Sequence, residues 1–240
     1  MGIWGLRFFG LLATFGLGGC FTLQPPPPTA IQASDNGVFQ PVARLSANLS
    51  RQQGSPSDPQ SGHAIELGFT KAGGEGSQTL GSGQQPVVFG GRSFPPPQQL
   101  RYEFDFTYVD VSYRWRKFLG DTFGIEALGG VGYADLDFTV RSPTQRANED
   151  LSSVGLALGV GALWRLRPGT SIQGRVTAFG SGDAVTSARR LELFLVQALG
   201  RHAAVRAGYS SWKVESDRGD GVSKLEVEFS GPALGLDVMF

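Results

Sequence analysis

From residue 62 to residue 240 the chain alternates apolar and polar side chains, segment after segment, with a period of two. That period belongs to β-strands with one face buried and is incompatible with a helical stripe. Leu156, Leu158, Val160, Ala162, Trp164 and Leu166 share one face of such a segment, with Gly155, Ala157, Gly159, Gly161 and Arg165 on the other. The chain closes in the same way, with Leu234, Leu236, Val238 and Phe240 against Ala233, Gly235, Asp237 and Met239. Eight segments read as strands: 62–71, 101–116, 122–141, 152–166, 171–180, 187–199, 203–214 and 222–240. Beyond the first twenty residues no apolar run reaches the ~18 residues of a helical membrane span, the longest being Val154–Trp164.

The joints alternate in length. Residues 117–121, 167–170 and 200–202 are tight turns, whereas 72–100, 142–151, 181–186 and 215–221 are longer and rich in Gly, Ser and Asp. Short turns at one end and long loops at the other are the plan of an outer-membrane barrel, in which closure leaves no backbone edge facing lipid. The expected fold is therefore all-β: an eight-stranded antiparallel up-and-down transmembrane β-barrel over 62–240. Phe39–Leu49 also alternates and Val87-Val88-Phe89 is strand-like, so a ten-stranded count is the alternative. Within 101–116 the apolar side changes phase. Tyr102, Phe104, Phe106 and Tyr108 share one side, and Val109, Val111, Tyr113 and Trp115 the other, which predicts a bulge or twist near Tyr108. The last strand changes phase likewise, from Leu225, Val227 and Phe229 to Leu234, Leu236 and Val238 around Gly231-Pro232. In a barrel the aromatics would face lipid and charges of both signs would pair in the lumen. In a soluble sandwich the charged face would meet water. Trp115, Phe123, Trp164 and Phe240 fall beside the short-turn end, where an aromatic girdle is expected.

Composition narrows the function. Lys plus Arg and Asp plus Glu are equal at 21 each, so the chain has no basic excess for nucleic acid. One Cys and two His leave no ligand set for a structural zinc and little for another metal, and no cofactor is expected.

Met1–Gly19 is apolar apart from Arg7 and ends in small residues, the pattern of a cleaved signal segment. Leu17-Gly18-Gly19-Cys20 resembles the lipobox of bacterial lipoproteins. The resemblance implies cleavage before Cys20, its acylation with palmitate-type chains, and handling by the lipoprotein-processing machinery. With Phe21 and not Asp following, it further implies the outer membrane, and several acyl chains would anchor the protein durably. Residues 20–37, with Pro25–Pro28, form a Pro-rich tether, and 38–61 a periplasmic lead-in or an extra strand. A terminal alternating strand ending in Phe240 resembles the signal read by the bacterial barrel-assembly machinery. The architecture of 62–240 resembles the small OmpA/OmpX/opacity class of outer-membrane barrels, which implies contact with outer-membrane lipids.

Candidate chemistry is sparse. Gly155, Ala157, Gly159 and Gly161 leave interior room for Arg114, Arg116, Arg175 and Arg206, with Glu103, Asp105, Asp110, Glu126, Glu192 and Asp237 as partners. A neutralised plug is favoured over an ion path. Lipid A deacylases, which share the architecture, carry a His-x-Ser pair; His63 and His202 are each followed by Ala and match no such pair. Ser210, Ser211 and Glu215 are a residual catalytic possibility, and Arg218-Gly219-Asp220 suits a turn. The expectation is a non-enzymatic, lipid-anchored outer-membrane barrel acting through its loops in surface interaction or envelope integrity. The alternatives are a lipid-modifying enzyme, a small channel, and a lipid-tethered periplasmic sandwich. No motif specifies an extracellular ligand.

Overall fold

A computed structural model describes residues 31–49, 61–217 and 224–240. The signal segment, Cys20 and Arg218-Gly219-Asp220 lie outside the described residues. The strands are β1 (Ile31–Asn36), β2 (Gln40–Asn48), β3 (Gly62–Leu80), β4 (Val87–Phe89), β5 (Arg92–Phe94), β6 (Gln98–Leu119), β7 (Phe123–Arg141), β8 (Arg146–Arg167), β9 (Thr170–Gly180), β10 (Ser187–Ala198), β11 (Ala203–Ser216) and β12 (Leu225–Met239).

Among the described residues the protein is all-β, and its main sheet closes into a ring. From β2 the order runs through β3, β6, β7, β8, β9, β10, β11 and β12, and β12 pairs back onto β2. Neighbours are antiparallel except at the closure, where β2 lies parallel to β12 and β1 continues that parallel seam. Hydrogen-bonded partners followed once round from Ala47 pass through Ile65, Tyr113, Gly129, Leu158, Ala178, Arg189, Lys213 and Glu228 to Ser34. The path thus returns 13 residues (47 − 34) up the chain, the stagger that inclined strands require for closure.

The ring has nine strands, not eight or ten. β2 supplies the ninth: Val42, Arg44 and Ser46 point inward while Ala43, Leu45 and Ala47 point outward, so one more two-faced strand fills the seam. An odd count forces a parallel closing pair, so the antiparallel up-and-down plan fails at that one joint. Residues 31–36, expected in the tether, are the start of the seam. β3 continues to Leu80, paired with β6 throughout, well past the expected end at 71; Gly73, Gly74 and Gly76 dilute the alternation that would have marked the extension. At Gly76 a Cβ would collide with the Tyr102 ring, whose hydroxyl instead reaches β1 and accepts from the Ser34 amide at 2.9 Å. The expected loop 142–151 is a four-residue turn, 142–145, closed by the Ser142 amide donating to the Gln145 carbonyl at 2.8 Å. Val87-Val88-Phe89 pairs with β5 in a separate hairpin.

The phase changes are not bulges. β6 runs in unbroken register with β3 and β7, and its even-numbered residues point inward from Leu100 to Arg116. What changes is the medium on each side. Toward the long-loop end the interior is apolar: Phe104, Phe106, Tyr108, Phe138, Phe179, Trp212 and Phe229 form a core, sealed by Phe89 of the β4–β5 hairpin against Phe138. There the outer face carries Arg101, Glu103, Asp105 and Thr107. Toward the short-turn end the same inner face carries Asp110, Ser112, Arg114 and Arg116, and the outer face Val109, Val111, Tyr113 and Trp115. β12 keeps its register through Gly231-Pro232 and inverts in the same way. The aromatics Tyr102–Tyr108, expected to face lipid, are therefore core residues, and Glu103 and Asp105, expected in the lumen, are on the outer wall.

Candidate membrane interface and ionic lumen

Alternation on every ring strand brings apolar outward residues to one level. Leu45, Ile65, Leu67, Phe69, Val111, Tyr113, Val131, Leu156, Leu158, Val160, Val176, Leu193, Leu195, Leu234 and Leu236 are exposed large hydrophobics, and they lie on β2, β3 and β6 through β10, and on β12. Val205 and Tyr209 carry the band across β11. Isolated apolar residues on a surface need no explanation, but a continuous circumferential band on a folded ring marks an interaction surface, for a partner or for lipid. Trp115, Phe123, Trp164 and Phe240 border it at the short-turn end as expected, with Phe123 directly opposite Trp164. Phe240 is tied into the seam, its amide donating to the Ser46 carbonyl at 2.9 Å, while its ring projects outward.

The upper border is abrupt. The cross-strand row Phe69, Val109, Tyr133 and Val154 is apolar, and the next is Lys71, Thr107, Asp135 and Ser152. Asp105, Asp137 and Asp150 follow on three adjacent strands. Directly opposed like charges repel, and here burial together with the Asp150 and Asp137 carboxylates raises the pKa of Asp135. Lys213, also on this polar wall, lies 2.8 Å from Glu226 and 3.2 Å from Glu228.

Inside the level of the apolar band the ring is filled by ion pairs. Glu66 on β3 receives Arg175 Nη1 at 2.5 Å and Arg114 Nη1 at 3.0 Å, with Arg44 Nε at 3.7 Å. Glu126 receives Arg175 Nε at 2.8 Å, Arg116 Nη2 at 2.9 Å and the Gln173 amide at 2.9 Å. Glu192 receives Arg44 Nη2 at 2.6 Å, with Arg190 Nε at 3.4 Å. Arg206 donates through Nε to Asp237 Oδ1 at 2.7 Å and through Nη2 to Asp237 Oδ2. Small residues opposite admit these side chains: a Cβ at Gly161 would stand 2.8 Å from Glu126 Oε1. Arg190 joins the two layers, its guanidinium 4.9 Å from the centre of the Trp212 ring and 5.6 Å from that of Tyr108.

Of the expected interior charges, Arg114, Arg116, Arg175, Arg206, Asp110, Glu126, Glu192 and Asp237 are brought into this interior. Arg44, Glu66 and Arg190 belong to the network and were not expected. Their signal was present: Arg44 stands between Ala43 and Leu45, and Glu66 between Ile65 and Leu67, each a lone charge on the face opposite an apolar run. His63 and His202 lie apart from the lumen on the exposed short-turn side. The former meets the Tyr113 hydroxyl through Nδ1, and the latter lies 3.1 Å from the Met239 carbonyl. Ser210 points inward, while Ser211 and Glu215 point outward, Glu215 toward Lys224 at 3.4 Å; the three are not brought together. No helix among the described residues is long and apolar enough to cross a membrane, which leaves crossing by strands untouched.

No family model matches the chain, and no curated protein or solved structure matches it.

Proposed function

We propose that this chain is a lipid-anchored outer-membrane β-barrel that works without catalysis, through the polar wall and loops it holds beyond the bilayer. The observation that carries this is the inversion of both faces at one level of the ring. Lipid against the lower outer wall accounts for its apolar band, and the same level is where the interior becomes ionic. Water against the upper outer wall accounts for its charges, and there the interior is an ordinary apolar core. An aqueous environment throughout would strand the band; a bilayer throughout would strand the Asp105, Asp137 and Asp150 row. The apolar core and the β4–β5 hairpin fill the long-loop half of the ring, which favours a surface-display role over a conducting one.

The parallel seam bears on the lipid anchor. β1 starts at the long-loop end and β12 finishes at the short-turn end, so Ile31 and Phe240 stand at opposite rims. Cys20 precedes Ile31 by eleven positions, at most ~40 Å of chain. Acyl chains on Cys20 would therefore enter the leaflet nearer the long-loop end. On this reading the lipid pins the amino-terminal edge of the seam, the one joint that an antiparallel hairpin does not secure.

The test is the Cys20→Ser variant in outer-membrane fractions. It should stay in the membrane and migrate differently in gels when boiled and unboiled. Release into the soluble fraction with no migration difference would overturn the proposal and leave a protein held by its lipid alone.

A further inference from the structure

We infer that the short-turn mouth of the ring is a binding site for a small inorganic oxyanion. The interior ion pairs do not balance. Six arginines (Arg44, Arg114, Arg116, Arg175, Arg190 and Arg206) share four carboxylates (Glu66, Glu126, Glu192 and Asp237). The fifth interior carboxylate, Asp110, accepts from the Ser112 hydroxyl at 2.7 Å and takes part in no ion pair among the described residues. With Asp110 counted, six arginines stand against five carboxylates inside the wall, a formal excess of one positive charge, six minus five. Buried charge without a counter-charge is costly, and the cost falls when an anion completes the set.

The excess collects at a place with room for an anion. A cavity of about 40 Å³ at this mouth is lined by Arg44, Arg114, Arg116 and Arg206, against only Glu66 and Asp237. A water needs roughly 10–15 Å³ measured this way, so the space suits a planar anion of three or four heavy atoms. Arg206, almost fully buried, lines the cavity; its Nε and Nη2 are engaged by Asp237, Nη2 also lies 3.4 Å from Gln173 Oε1, and Nη1, itself buried, has no hydrogen-bond partner among the described residues. Stacking over the Phe194 ring at 5.0 Å holds that guanidinium in plane. Gln173, Ser46 and Ser171 add neutral polar groups, while Leu163 and Val196 supply apolar wall. A guanidinium held in place with one nitrogen still lacking an acceptor, beside three further arginines, matches a planar oxyanion such as nitrate or bicarbonate. The site depends on the ring and its charges, and stands whether or not the band meets lipid.

The experiment is calorimetric titration of the refolded full chain with sodium nitrate, at ionic strength held constant with sodium gluconate, an anion too large for the cavity. Wild type should bind saturably at one site. Arg206→Met should weaken binding at least tenfold. Because that variant also orphans Asp237, Ser171→Leu serves beside it: it fills the cavity, leaves every charge in place, and should weaken nitrate binding by a similar factor. No saturable heat with wild type, or binding that both variants leave unchanged, would overturn the site.

Discussion

Glu66→Gln should cost the folded ring about 3–5 kcal/mol, the penalty for breaking a buried ion pair by removing one partner. Glu66 is buried and accepts from Arg114 and Arg175, with Arg44 beside it, so the amide leaves three guanidiniums short of their shared carboxylate. The amide oxygen still accepts one hydrogen bond, but its NH₂ points donors at donors. The measurement is the urea midpoint for loss of the compact unboiled gel form, with Glu103→Gln as the comparison. Glu103 pairs with Arg141 at 3.0 Å on the exposed wall, and its loss should cost under ~1 kcal/mol. Equal effects at the two sites would mean that the lumen is hydrated enough to screen its charges.

Leu158→Arg should cost about 2–4 kcal/mol of stability in a bilayer, the scale for a cation near the midplane of a lipid-facing barrel wall. Leu158 is 63% exposed, outward, and near the middle of the apolar run on β8. In water the same replacement, at an already exposed position, would change stability by no more than ~0.5 kcal/mol. The yield of heat-modifiable protein on refolding into liposomes reads the difference. A fall with Leu158→Arg, and none with Thr139→Arg on the polar wall, is the expected pair of results.

Much of the fold was legible because alternation survives folding: over its described residues every segment of 62–240 taken as a strand is one, and the short turns after β6, β8 and β10 sit at one end. The misreadings share a cause. An apolar–polar pattern identifies two faces but not which face is inside, and here the answer reverses along a single strand. Tyr102–Tyr108 and Val109–Trp115 look like a phase slip only if the inner medium is assumed uniform. The ninth strand was legible only as an alternative: 39–49 alternates, but β1 and β2 are short and separated by Gly37-Val38-Phe39, and a parallel closure leaves no hairpin turn to fix the segment in the ring. In the lumen, residues predicted from glycine-rich faces opposite arginines came together, whereas Glu66 and Arg44 were overlooked as single charges among apolar neighbours. No local pattern announces that one carboxylate will serve three strands.

The most direct test of a ring immersed to half its height is quenching by brominated phospholipids of single tryptophans, with the native Trp4, Trp115, Trp164 and Trp212 replaced by Phe. Leu158→Trp should be strongly quenched by bromines in the acyl region. Glu103→Trp, six residues and ~20 Å along β6 beyond Val109, should be unaffected. Quenching at neither position would contradict a membrane-spanning ring, and equal quenching at both would contradict an inversion set by the bilayer surface.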